Sequence, residues 1–326
     1  MKDERTALLR AGWQYSRFTD GEGNATHSQR PEVLEHRGSS EHASPRAVVL
    51  IPGNPGIPHF YCNFGECLRT ALGTEDAHGP SWAVYCVGLT NFTVCEARAG
   101  QVATIKEEAA RLVPVLDMLS KRHTAGLLLV GHSIGAWALL QHVHSAVLHK
   151  SGPLASVKVH AVVLATPYLE FDTSSLQQRW LRWLFRQWFT RGLVTALTSV
   201  LSHLPEGLQR ILSPLVGDTA TEADRDIVQA TIFQQPHQLE GIVFMAKSEF
   251  EHLDAEMTSG IQQIEELIQK DNCPPLVGVF TAGDHWGPEV HKRRLEKMAS
   301  TLEEQGQKRR RLSVLDAGNV QHSFVL

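Results

Sequence analysis

Leu127-Leu128-Leu129-Val130-Gly131-His132-Ser133-Ile134-Gly135-Ala136-Trp137 decides how this chain is read. An apolar run of strand length meets a helical pattern at a serine set between two glycines, the pattern G-x-S-x-G. Chance supplies such a match in about one chain in eight of this size and composition, so the context carries the weight. Glycines at 131 and 135 are what a tight strand-to-helix turn needs, because a β-carbon at either position would hold the two backbones apart. The turn lifts the Ser133 hydroxyl above the sheet. The helix start offers unpaired N–H groups and the positive end of a dipole, so the Ile134 N–H becomes one donor for a developing oxyanion. The plainer alternative is a Gly-rich turn with an idle serine.

Outward from this stretch, compact apolar runs alternate with helical patterns, which predicts an α/β class with a mostly parallel sheet. Strands are expected at Ala47 to Ile51, Trp82 to Val87, Gly126 to Val130, Val157 to Leu164, Leu276 to Thr281 and Leu312 to Leu315. Helices are expected at Phe60 to Leu72, Gln101 to Ser120, Ile134 to Leu148 and Pro288 to Glu304. Residues 1–45 hold a candidate first strand, Trp13 to Phe18, and a polar stretch from Asp20 to Ser44 that reads as loop. The core then runs over 46–167 and resumes over 272–326. Between these lies 168–271, which shows no convincing strand; it reads as a helical cap over the carboxyl ends of the strands, where such sheets place their sites.

A serine hydroxyl is a weak nucleophile until a histidine takes its proton and a carboxylate orients that histidine. Where the serine sits on a strand-to-helix turn, the acid follows a late strand and the base follows the last one. Asp284 in Ala282-Gly283-Asp284-His285-Trp286 meets the first condition, and His322, beyond Leu312 to Leu315, meets the second. His285 and His291 are rival bases, and Asp316 is a rival acid that lies too near His322 to fit the usual order. The second oxyanion donor is expected from Ile51-Pro52-Gly53-Asn54-Pro55-Gly56, after the first core strand. Pro55 has no N–H, so the Asn54 backbone is the choice.

Composition closes off several classes. With 31 Lys+Arg against 35 Asp+Glu and a net charge of −4, no basic footprint for nucleic acid exists. The N-terminus leads into no apolar run of the signal-peptide kind. Five cysteines without a C-x-x-C pair suggest neither a disulfide framework nor a zinc site, and no cofactor or metal is expected. The uncharged stretch Ala125 to His149 contains four histidines and the serine turn, which excludes a membrane span.

The chain resembles the lipid droplet-associated hydrolases, a branch of the α/β-hydrolase superfamily. The resemblance rests on Ile51-Pro52-Gly53-Asn54-Pro55-Gly56 with Phe60-Tyr61, on Gly131-His132-Ser133-Ile134-Gly135, and on Asp284, Trp286 and Pro288. It implies an α/β-hydrolase fold and a serine hydrolase of lipid esters, of sterol-ester or acylglycerol type. It further implies peripheral action at lipid droplet or endoplasmic reticulum surfaces, on the cytosolic side. The chain departs from the family pattern at its end, where only Ser323-Phe324-Val325-Leu326 follow His322 in place of a closing helix. A truncated chain with a weakly anchored His322 loop is the expectation.

The cap carries an independent clue in Leu176 to Arg191. At about 100° per residue, Arg179, Arg182 and Arg186 share one wedge, while Trp180, Trp183, Trp188 and their aliphatic neighbours cover much of the rest. An interfacial helix would bury such a face in lipid and leave its arginines at headgroups. A cap helix packed over the cleft would show the same pattern. Three functions therefore stand side by side: a lipid esterase, a soluble hydrolase of small esters or thioesters, and a lipid-surface protein with weak or no turnover.

Overall fold

Runs of valine, leucine and isoleucine too short for helices make the middle of one sheet of eight strands. The structure is a computed structural model and describes residues 12–15, 31–36, 44–74, 82–92, 102–187, 190–212, 225–226, 228–233, 235–253, 259–282, 284, 289–304 and 311–318. In chain order the elements are β1 (Trp13–Tyr15), β2 (Val33–His36), β3 (Arg46–Ile51), α1 (Cys62–Thr74), β4 (Trp82–Val87), α2 (Ile105–Arg111), α3 (Val113–Arg122), β5 (Gly126–His132) and α4 (Ile134–His149). They continue as β6 (Val159–Ala165), α5 (Leu176–Arg186), α6 (Thr190–Ser202), α7 (Glu206–Leu212), α8 (Pro236–His252), α9 (Gly260–Ile268), β7 (Leu276–Phe280), α10 (Glu289–Glu304) and β8 (Leu312–Asp316). The strand order is β1-β2-β4-β3-β5-β6-β7-β8. Among the described strands β2 alone is reversed, antiparallel to β1 and β4, and β3 through β8 are mutually parallel.

β3 and β5, covered on both faces, are apolar nearly throughout, as parallel strands between helical layers are. The fold is that of the α/β-hydrolases. Between β6 and β7 every described element is helical. Of these, α9 lies in the segment read as cap but packs on α4, where the Gln141 and Gln263 amides exchange hydrogen bonds of 2.9 and 3.0 Å. It belongs to the layer that flanks the sheet.

Two local readings change. Val33–His36 is a buried strand inside the stretch expected to be loop. Four residues are too few for alternation to register, and the buried Glu35 that masks the pattern is satisfied by Tyr85 (2.9 Å) and Arg122 (3.3 Å). The helix expected over Gln101 to Ser120 is two helices meeting at Leu112. Pro114 opens the second in its first turn, where its missing N–H costs nothing, and a Thr104–Glu107 capping box starts the first.

Candidate active site

β5 delivers the nucleophile turn. Ser133 has φ 51° and ψ −122°, a left-handed conformation that costs a side-chain-bearing residue about 1–3 kcal/mol and persists only where the surroundings impose it. The surroundings do so through backbone bonds. The Ser133 N–H donates to the Ala165 carbonyl at the end of β6 (3.0 Å), and the Ser133 carbonyl accepts from Ala136 (3.1 Å) and from Tyr168 (3.2 Å). Close approach explains both glycines of the motif. A β-carbon on Gly131 would stand 2.5 Å from the Ala136 Cα, and one on Gly135 would stand 2.5 Å from the Ile51 carbonyl oxygen.

The loop leaving β3 lies against this turn, since a β-carbon on Gly53 would come 2.8 Å from the Ser133 Cβ. The Gly53 N–H is already engaged: it donates to the Tyr61 hydroxyl (2.9 Å), which also pairs with His132 Nδ1 (2.7 Å). Burial pushes the Tyr61 hydroxyl far above its ordinary pKa, so it keeps its proton. The Asn54 backbone N–H has no hydrogen-bond partner among the described residues, and the Ile134 N–H opens α4. These are the two groups expected from sequence as donors: Ile134 follows Ser133 in the chain, and Asn54 follows Gly53, which lies against Ser133. The Asn54 side chain faces the cap, where its Nδ2 donates to the Ile242 carbonyl on α8 (3.0 Å). The Gly53–Tyr61–His132 chain was not legible beforehand; Phe60-Tyr61 stood out only as part of a family pattern.

The exits of the last three strands lie side by side at the same edge. Thr166 N–H donates to the Val279 carbonyl (2.7 Å), Ala317 N–H to that of Phe280 (2.7 Å) and Ala282 N–H to that of Gly318 (2.8 Å), so the exits of β6, β7 and β8 stay tied beyond the strands. Asp284 lies four residues past β7, partly buried. His322, His285, Trp286 and Pro288 lie outside the described residues. Asp316 is engaged elsewhere: Lys292 Nζ contacts it at 2.6 Å and, with the Gly318 N–H, holds its carboxyl below the usual range. His291 is buried beside Glu170, and burial lowers its pKa to about 4. Among the described residues no group of His, Cys, Asp or Glu side chains converges as a metal site would require.

The family described as Lipid-droplet associated hydrolase matches residues 44–325. The chain belongs to this family. A lipid droplet-associated hydrolase of Drosophila melanogaster is 22% identical over 295 residues, which cover 86% of this chain and 83% of that one. Among solved structures, the haloalkane dehalogenase DbeA of Bradyrhizobium elkani aligns with a TM-score of 0.57 at 11% identity, covering 96% and 91% of the two chains. The peroxisomal alpha-beta-hydrolase Lpx1 of Saccharomyces cerevisiae aligns with a TM-score of 0.57 at 11% identity, covering 95% and 82%. At such identities the structural likeness establishes the fold.

In this family member the cap helix α5 has two distinct faces. Leu176, Trp180 and Trp183, at i, i+4 and i+7, point outward with 78%, 57% and 56% exposure. On the other face Phe185 packs against Phe250 of α8, with ring centroids 5.8 Å apart. Trp180 and Trp183 therefore do not line the cleft, as a fully packed cap helix would have them do. Arg182 also departs from the expected headgroup wedge. Its guanidinium lies over the Phe171 ring, 4.8 Å from the centroid, leaving Arg179 and Arg186 as the exposed arginines. Trp188 lies outside the described residues. Leu193, Leu197 and Val200 of α6, with Leu208 and Ile211 of α7, are also exposed. No described helix is long and apolar enough to cross a membrane.

Proposed function

We propose that this α/β-hydrolase is a serine hydrolase of lipid esters, of sterol-ester or acylglycerol type. The carrying observation is the left-handed Ser133 at the start of α4, with the Gly53 loop pressed against it; the N–H groups of Asn54 and Ile134 are the oxyanion donors of the proposal. That arrangement suits acyl transfer: Ser133 Oγ attacks the ester carbonyl carbon as His322 takes its proton, and the carbonyl oxygen becomes an oxyanion at the two N–H groups. Collapse breaks the bond to the alcohol, which leaves with the proton from His322. Water then attacks the acyl-serine by the same route, and a fatty acid departs. Asp284 holds His322 in the tautomer that this requires.

A lipid surface as the workplace is supported by the outward apolar face of α5 and by the relative's name. Tryptophans of this kind favour an interface, and the exposed Arg179 and Arg186 suit anionic headgroups. Peripheral binding at droplets and at the cytosolic face of the endoplasmic reticulum belongs to the same proposal. The test is covalent labelling of the purified protein by a fluorophosphonate, followed by turnover of cholesteryl oleate and dioleoylglycerol emulsions. Labelling confined to Ser133 and abolished in Ser133→Ala is expected; labelling that survives the substitution would end the reading.

A further inference from the structure

Helix α8 crosses the site side of the cap. Ile242, Met245 and Glu249 share one face at helical spacing. Ile242 offers its carbonyl to Asn54, and Met245 meets Ile134, Gly135 and Trp137 in a small apolar recess. Glu249 comes next on that face and is buried to 4% exposure. Its Oε1 is fully enclosed and has no hydrogen-bond partner, and neither has the enclosed Oδ1 of Asn54. Two buried acceptors with no donor between them are costly unless one carries a proton, and of the two groups only the carboxyl can.

We propose that Glu249 is a positioning residue: its carboxyl pairs with the Asn54 side-chain amide and through it sets the Asn54 backbone N–H that receives the oxyanion. The proposal rests on the hydrolase reading of Ser133. An acid and an amide pair through two bonds, the acid O–H to Asn54 Oδ1 and an amide N–H to the acid carbonyl. The second amide hydrogen serves Ile242. The pair exists only while the acid is neutral, and burial does keep it so, raising its pKa to about 8 against the smaller opposite effect of the Asn54 amide. Tyr168, at the exit of β6, interacts with Glu249, and burial holds its hydroxyl neutral far above the same range. Arg182 from α5 faces Tyr168, while Glu108 and Arg111 of α2 are turned to Thr90. His252, on α8 itself, interacts with Glu107. Ionisation of Glu249 would remove the donor and place a negative charge behind the loop that must accept a second one. The loss falls on the transition state, hence on kcat rather than KM.

The full chain is assayed on a short p-nitrophenyl ester from pH 6 to 10, as wild type, Glu249→Gln and Glu249→Leu. Wild-type kcat should fall above about pH 8, approaching tenfold per unit. Glutamine supplies a donor that cannot ionise, so Glu249→Gln should stay within a few-fold of wild type at pH 7 and lose the alkaline fall. Glu249→Leu should be slower by about tenfold or more at every pH, with KM little changed. A Glu249→Gln enzyme that keeps the alkaline fall, or a folded Glu249→Leu enzyme with wild-type kcat, would overturn the proposal. The side-chain amide signals of Asn54, assigned by their absence in Asn54→Ser, should titrate in wild type with that midpoint and not in Glu249→Gln. Failure to titrate would overturn the pairing whatever the activity. A wild-type protein without turnover whose Asn54 signals do titrate would sink the hydrolase reading and leave the pairing intact.

Discussion

A single methyl group at Gly135 tests whether the nucleophile turn depends on backbone proximity. In Gly135→Ala the new Cβ would stand 2.5 Å from the Ile51 carbonyl oxygen and nearer still to that of Pro52. Both are backbone atoms of the β3 exit and cannot swing aside as a side-chain tip would. Carbon and oxygen settle no closer than about 3.3 Å, so α4 and the β3 exit must part by roughly 1 Å. That gap opens between the Ser133 turn and the Gly53–Asn54 loop, whose spacing sets the proposed oxyanion site. Overpacking of this kind costs about 1–3 kcal/mol of stability, and a displacement near 1 Å costs about 100-fold in rate. The assay is initial-rate hydrolysis of a p-nitrophenyl ester, with thermal melting on the same samples. Gly192→Ala and Gly207→Ala are the controls. Both glycines are helical with nothing within 4 Å of the added carbon, so both variants should gain up to about 1 kcal/mol and keep the rate. A folded Gly135→Ala protein with wild-type turnover would refute the argument from proximity.

Ser133→Gly should abolish turnover yet raise stability by about 1 kcal/mol, because glycine accepts φ 51° without strain; a lower melting temperature would count against that strain. Tyr61→Phe strips the partner from the buried Gly53 N–H, and should cost about 1–3 kcal/mol in urea unfolding and slow turnover about tenfold. Unfolding followed from pH 4 to 9 should show wild type losing stability relative to Glu249→Gln as pH rises. The unfolded Glu249 releases its proton near its ordinary 4.5, whereas the folded one keeps it until about 8; the loss accumulates to about 5 kcal/mol and then levels off, and Glu249→Gln should lack it. Trp180→Ser with Trp183→Ser should leave melting and soluble-ester rates near wild type, since both side chains are more than half exposed, while flotation with liposomes drops; unchanged flotation would refute the lipid-surface role.

The sheet was legible because its strands are apolar on both faces and bounded by turn residues, a pattern that survives without any alignment. The nucleophile turn was legible because steric need fixes residue type there: only glycine fits at 131 and 135. β2 was missed because a buried charge, Glu35, breaks the apolar pattern in a strand of four residues. The split at Leu112 was missed because Pro114 is tolerated in a first turn and helical periodicity runs through it. On α5, spacing placed the three arginines on one wedge, yet a guanidinium on a long stem can turn inward to an aromatic ring, as Arg182 does over Phe171. Tyr61 with His132, and Glu249 with Asn54, are separated by 71 and 195 residues, and no local pattern announces a contact made by folding.

These unannounced contacts share a physical sense. Three features of the site work against stability: a serine held in left-handed backbone, a loop pressed onto it at glycine distance, and a carboxyl buried where it cannot hold its charge. None would persist if the elements around them could relax. They cannot, because β5 lies between β3 and β6 in a parallel sheet whose exits are tied by backbone bonds, and because α8 closes over the turn from above. The strain thus sits where the rigid layers meet, and a substitution that relieves it should stabilise the fold while costing activity. That trade separates a site built for chemistry from a glycine-rich turn with an idle serine, in which relief would cost nothing.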